Sequence, residues 1–326
     1  MPSIFDRRSM LLAGAWITAA PASVLADGLG ETSDTIELWP GGVPGRERVS
    51  VQEKIEDLAP GAVPRDRVAW HVTRPLLSVF RPKSRFNGVT LLVIPGGGYR
   101  RVVIDREGID TAQWLCERGF TAAVLRYRLP ADGWTMGPDA PVHDGMRALR
   151  VLRAHAPVTS AGSAPRFGVI GFSAGGHLAA RLVTSNASDY AHVDAADEFD
   201  SRPDFATLMY PVIALAGAHA HPGSVQQFIN AGVRPTEEAR SRYSVQFAVT
   251  AQTSPTQLIH AADDASVPVE NSLMMYDALR RAGVRSELHL FDSGGHGFGL
   301  RGIEGKSVSA WPSLVHNWAM SHVAAS

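Results

Sequence analysis

Short apolar runs alternate with stretches of helical period along most of this chain. From Val89 onward the runs predict strands over 89–94, 120–125, 167–171, 205–210, 256–260 and 286–291. Apolar positions recurring every three to four residues predict helices over 107–118, 142–155, 174–184 and 269–282, and a terminal helix near 308–321. Gly119 and Gly283 end two of these helices. Strands alternating with helices in this way require a mostly parallel sheet with helices on both faces. Ahead of it, strands over 68–72 and 76–80 predict an antiparallel edge. Ile36-Glu37-Leu38-Trp39-Pro40-Gly41-Gly42 opens a Pro- and Gly-rich segment that reads as irregular as far as Arg67. Two long polar stretches, 185–203 and 214–252, interrupt the alternation. Loops of that length in a compact domain usually serve function, and both are expected to roof the site.

The chain has 326 residues, 45 % of them hydrophobic, enough for one large α/β domain, expected over 68–326 and preceded by an irregular segment over 27–67. A net charge of −1 with scattered basic residues argues against a nucleic-acid partner, whose phosphates call for a concentrated positive face. Residues 1–26 read as a leader. Arg7-Arg8-Ser9-Met10-Leu11-Leu12 opens a moderately apolar run, and Val24-Leu25-Ala26 offers a cleavage site before Asp27. Twin arginines before an apolar pair resemble a Tat export signal, so the expected location is periplasmic or secreted. The run is shorter than the ~20 residues a span needs, and no stable membrane partner is expected. The single cysteine, Cys116, excludes an intrachain disulfide and reads as a core thiol on a helix.

The chemistry gathers where the predicted strands end, as it does in open parallel sheets. Gly171-Phe172-Ser173-Ala174-Gly175 joins a strand to a helix, the form of a nucleophile elbow, and with the segments around it points to an α/β-hydrolase fold. The run Leu91 to Pro95 leads into Gly96-Gly97-Gly98-Tyr99, Thr256 to His260 into Asp263-Asp264, and Glu287 to Phe291 into Gly294-Gly295-His296-Gly297-Phe298. Serine, acid and histidine thus follow in the order this fold requires. Ser173 is the expected nucleophile, His296 the base that takes its proton, and Asp264 the carboxylate that orients the imidazole, with Asp263 the competing choice. Backbone N–H groups of Gly97, Gly98 and Ala174 are the expected oxyanion donors. A phosphate-binding glycine loop is the weaker reading, because Tyr99-Arg100-Arg101 breaks the dinucleotide pattern. Tyr99, Phe172 and Phe298 flank these loops and are candidates to limit the acyl pocket. His177, one helical turn past Ser173, either contacts substrate or packs on the sheet. His219 and His221 suggest a metal pair only superficially and read as loop histidines; neither metal nor cofactor is expected. No pair of facing carboxylates marks a glycosidase.

At these motifs, and at Leu38-Trp39-Pro40-Gly41, Tyr210-Pro211-Val212 and Val267-Pro268-Val269-Glu270-Asn271-Ser272, the sequence resembles a family of secreted bacterial α/β-hydrolases. That family includes acetylxylan esterases and other carbohydrate acetylesterases. The resemblance, from about Leu38 to Trp318, implies serine esterase chemistry on Ser173, Asp264 and His296, acting without a cofactor on acetyl groups of plant polysaccharide. Phe228-Ile229-Asn230-Ala231-Gly232 stands where many relatives carry a Leu-Leu-Gly turn, so the sugar preference does not transfer with it. The same triad could run an amidase such as an arylformamidase, or a peptidase, and the fold could serve binding alone. An export signal argues against the cytosolic formamidase, and the chain has no room for the gating domain of related peptidases.

Overall fold

Backbone pairing at the edges and apolar burial at the centre decide where the strands lie. The computed structural model describes residues 33–156, 164–184 and 190–323; the leader read at 1–26 lies outside them. The chain opens with β1 (Ser33–Glu37), β2 (Lys54–Asp57), β3 (Arg67–Trp70), β4 (Leu76–Phe80), β5 (Val89–Ile94) and β6 (Val102–Val103). There follow α1 (Asp110–Cys116), β7 (Thr121–Arg126), α2 (Ala140–Ala154), β8 (Arg166–Phe172), α3 (Ala174–Thr184) and β9 (Phe205–Met209). The remainder is α4 (Pro222–Asn230), α5 (Glu237–Ser241), β10 (Thr256–Ala261), α6 (Glu270–Arg281), β11 (Ser286–Phe291) and α7 (Trp311–Met320).

Eight strands form the main sheet in the order β1-β4-β7-β5-β8-β9-β10-β11. All pairs from β7 to β11 are parallel, while β4 runs antiparallel to β7 and to β1. This is the α/β-hydrolase fold expected from the sequence. Every residue of β5 is buried, with Leu92 opposite Ala123 on one side and Val169 on the other. A strand covered on both faces reads as an unbroken apolar run, and that is why β5 was legible.

Several expectations change. The strand at 68–72 does not join the antiparallel edge: β3 pairs with β2 and β6 in a separate three-stranded sheet. His71 turns the chain there with φ +51°, and β1 takes the place beside β4. The segment at 27–67 is therefore not irregular throughout. The helix expected from 107 starts instead at Asp110, after a π-helical turn over Ile104–Ile109. Finally, the stretch at 214–252 is not loop throughout, holding α4, α5 and a 3₁₀ turn at Val245–Phe247. The described part of 185–203 is tied to α2 rather than to the site: Arg147 donates to Asp194 and Asp197, each at 2.9 Å. Cys116 ends α1 half-buried, and burial pushes its thiol up to about 11.

The N-terminal segment is fastened to the sheet by a buried ion pair. Arg128 and Asp144 have no side-chain exposure and lie 2.8 Å apart. Asp144 also accepts from Trp39 Nε1 at 2.7 Å and from the Arg128 backbone N–H at 2.8 Å. Arg128 further donates to the carbonyls of Pro44 and Ala140. Removing one partner of such a pair strands the other charge in the interior. Asp144→Ala should therefore lower the unfolding free energy by about 3–5 kcal/mol, read as a shifted urea midpoint. A loss below about 1 kcal/mol would show that the two carbonyls alone satisfy Arg128.

Candidate active site

Strand β8 ends at Phe172 and α3 begins at Ala174, leaving one residue for the turn. Ser173 makes it with φ +52°, a conformation that costs a non-glycine residue about 1–3 kcal/mol unless its surroundings impose it. The surroundings do so. The Ser173 N–H donates to Met209 O at 2.9 Å, and its carbonyl accepts from His177 and Val212. A Cβ on Gly171 would lie 2.4 Å from Gly175 O, and one on Gly175 would lie 2.2 Å from Ile94 O. Only glycine lets strand, turn and helix close this tightly.

The turn aims Ser173 Oγ at His296 Nε2, 2.9 Å away, and His296 Nδ1 lies 2.7 Å from Asp264 Oδ2. An ionised carboxylate only accepts, so Nδ1 carries the proton and Nε2 is free to accept from the serine hydroxyl. Asp264 is fixed independently of His296. Its Oδ1 accepts from the Ser266 and Val267 N–H groups, each at 2.9 Å, and its Oδ2 also faces His260 Nε2 at 3.1 Å. His260 is itself held at Nδ1 by Ser272 Oγ at 2.8 Å. Burial works against ionisation of Asp264, but hydrogen bonds from His260 and His296, the charge of His296 and the Val267 N–H outweigh it. Together they hold the carboxyl well below the usual range.

Asp263, the competing choice, has a different role. Its Oδ1 accepts from the Gly294 and Gly295 N–H groups at 2.9 and 2.7 Å, which lowers its pKa and anchors the loop that carries His296. Of the two adjacent carboxylates, one therefore places the histidine backbone and the other orients the ring.

Gly96, Gly97 and Gly98 form a tight turn beside the elbow, in which Gly97 O accepts from Arg100 and Arg101. The N–H groups of Gly97 and Gly98 make no hydrogen bond to the described residues. Ala174 opens α3 and has no carbonyl one turn earlier in the helix to bond. These are the three groups that the sequence marks as candidate oxyanion donors. The turn rests on a group that sequence motifs do not mark. Glu107, almost wholly buried, accepts from Gly96 N–H at 2.7 Å and from Tyr210 OH at 3.0 Å. Burial raises its pKa, against the pull of the Gly96 N–H, the His296 charge and Tyr210. In the sequence nothing sets it apart from its charged neighbours Asp105 and Arg106.

The four side chains expected at the substrate do not line a pocket. Tyr99 is 1 % exposed; its φ of +60° turns the ring inward, where its hydroxyl lies 2.8 Å from His177 Nδ1. His177 is fully buried between Tyr99 and the carbonyl of Tyr243, and burial lowers its pKa to about 3. Phe172 packs behind the elbow against Tyr210 and Trp311, and Phe298 against Tyr210. All four are core that supports the loops. Among the described residues no cluster of three or more His, Cys, Asp or Glu could hold a metal ion. His219 lies 3.9 Å from Glu270, whereas His221 caps α4.

The depressed pKa of Asp264 has a consequence for stability. A carboxyl whose pKa is lower folded than unfolded stabilises the fold above its unfolded value, near 3.9, and loses that contribution as pH falls toward the folded value. Wild type should therefore exceed Asp264→Asn in unfolding free energy at neutral pH, and the gap should narrow steadily below about pH 4. Urea titrations of both proteins from pH 7 to 3 check this; a gap independent of pH would contradict it.

The chain has relatives among known proteins. The model of the BD-FAE family matches residues 77–279. An acetylxylan esterase of Xylanibacter ruminicola is 35 % identical over 216 residues, 66 % of this chain and 42 % of that protein. Endo-1,4-beta-xylanase B of Butyrivibrio fibrisolvens is 32 % identical over 213 residues, 64 % of this chain and 32 % of that protein. The chain thus spans less than half the length of these curated relatives. Among solved structures, an acetyl ester-xyloside bifunctional hydrolase from Caldicellulosiruptor lactoaceticus is similar with a TM-score of 0.65 and 32 % identity. That match covers 90 % of this chain and 98 % of the other. With its family match extending over well more than half of the sequence, from β4 almost to the end of α6, the chain belongs to the BD-FAE family.

Proposed function

We propose that the protein is a serine esterase that removes acetyl groups from sugar hydroxyls of plant polysaccharides or oligosaccharides. The observation that carries the reading is the hydrogen-bonded series Ser173–His296–Asp264 beside the N–H groups of Gly97 and Gly98, which no described residue occupies. The choice of acetyl and sugar rests on the relatives from X. ruminicola and C. lactoaceticus, not on the aromatic residues near the loops, which are buried.

In this mechanism Ser173 Oγ bonds to the acetyl carbonyl carbon as its proton passes to His296 Nε2. The carbonyl oxygen takes the negative charge and faces the N–H groups of Gly97, Gly98 and Ala174. Asp264 stabilises the imidazolium. The C–O bond to the sugar then breaks, and the departing oxygen takes the proton from His296. Water, deprotonated by His296, attacks the acetyl-serine, and acetate leaves with Ser173 restored.

The proposal extends to location: Arg7 and Arg8 direct export, and the mature chain begins near Asp27. Mass spectrometry of the N-terminus after expression in a bacterial host tests this. An intact Met1 on a protein retained in the cytoplasm counts against it.

Acetate release from acetylated xylan tests the activity. Ser173→Ala and His296→Ala should each lower kcat/KM by several decades, with the double variant hardly worse than either, because the two residues act as a unit. Asp264→Asn should cost far more than Asp263→Asn, since only the former disturbs the tautomer of His296. Activity within about tenfold of wild type for Ser173→Ala would defeat the assignment.

A further inference from the structure

The stretch between β9 and α5 brings one more side chain to the site. His221 is the N-cap of α4, and the Ser224 backbone N–H lies 3.1 Å from its Nδ1, with Ser224 Oγ at 2.9 Å. A backbone N–H can only donate, so Nδ1 is an acceptor and the ring proton sits on Nε2. That Nε2–H makes no hydrogen bond to the described residues. The ring lies beside the oxyanion turn: a Cβ built on Gly98 would be 3.8 Å from His221 Cε1, the carbon between the two ring nitrogens. Burial, then the charge of His296, lowers the pKa of His221, so the ring stays a neutral donor.

The segment leading to His221 is tied to the acid's side of the site. Asn271, wholly buried at the start of α6, accepts from the N–H groups of Ile213 and Ala214 and donates to the carbonyls of His219 and Pro268. One side-chain amide therefore joins the segment before α4 to the turn that follows Asp264. Beneath, Phe228 of α4 packs against Tyr99 and His177. The side chain is only partly buried. In the mechanism proposed above, three backbone N–H groups serve the acyl oxygen, which leaves a side-chain donor beside Gly98 for the alcohol portion of the ester.

We propose that His221 Nε2–H donates a hydrogen bond to the sugar hydroxyl vicinal to the ester, making His221 a specificity-determining residue for polyol esters. The proposal rests on the sugar-acetate reading above. A site built to pair with a hydroxyl discriminates against an analogue lacking it.

The test compares wild type with His221→Asn and His221→Ser, whose side chains preserve the helix cap but lack a donor at the position of Nε2. Substrates are a mono-acetylated methyl xyloside, its deoxy analogue lacking the vicinal hydroxyl, and 4-nitrophenyl acetate. The ratio of kcat/KM for the xyloside to that for the aryl acetate should fall about tenfold in both variants. Wild type should favour the xyloside over its deoxy analogue, and both variants should lose that preference. An unchanged ratio, or a preference for the hydroxylated substrate that survives in the variants, overturns the role of His221. Failure of wild type to hydrolyse the xyloside while it cleaves the aryl acetate overturns the sugar-acetate reading and this proposal with it.

Discussion

The contact on which the site depends is the one between backbone atoms at the end of β8. Gly171, Gly175 and Gly96 each stand where a single added carbon would collide with backbone of a neighbouring segment. This closeness holds Ser173 at positive φ and sets the first N–H of α3 beside the serine oxygen. It also brings the turn after β5 within hydrogen-bonding range of Glu107. Strain at one residue is thus sustained by packing at several, none of which takes part in the chemistry. The rest of the protein keeps these approaches fixed.

Electrostatics around the histidine follows the same division of labour. Asp264 has partners enough from Ser266, Val267 and His260 to stay oriented whether or not His296 is in place. Asp263, its neighbour, directs its charge at two glycine N–H groups. Burying a second carboxyl nearby, at Glu107, is tolerated because it meets two donors and because it stiffens the turn whose N–H groups face the substrate. The placement of three carboxyls within one site shows that each has a separate mechanical duty.

What the sequence disclosed, it disclosed through local pattern. Ser173, His296 and the 263–264 pair stand just past strand ends, the first two flanked by glycines, and β5, α3 and β11 matched their predicted bounds. Strand β1 was hidden, since an edge strand is held by its backbone and needs no apolar run. Tyr99, Phe172 and Phe298 misled for a different reason: being next to a functional residue in sequence says nothing of which way a side chain points. The positive φ of Tyr99 sends its ring into the core, and Phe172 points behind the sheet end. Glu107 and His221 were obscure because their importance comes from segments that the fold brings together across long separations. An isolated glutamate or histidine carries no such information.

The attachment of the N-terminal segment bears on where this unit can be joined to others. Trp39 and Pro44 complete the coordination of Arg128 and Asp144, and β1 closes the exposed edge of β4. A boundary placed at the first obvious strand would cut away the partners of a buried charge pair and bare a sheet edge. In longer proteins that contain a module of this kind, the connecting linker therefore belongs ahead of Ser33. The stretch that looks least structured in the sequence is the module's clasp rather than its tether.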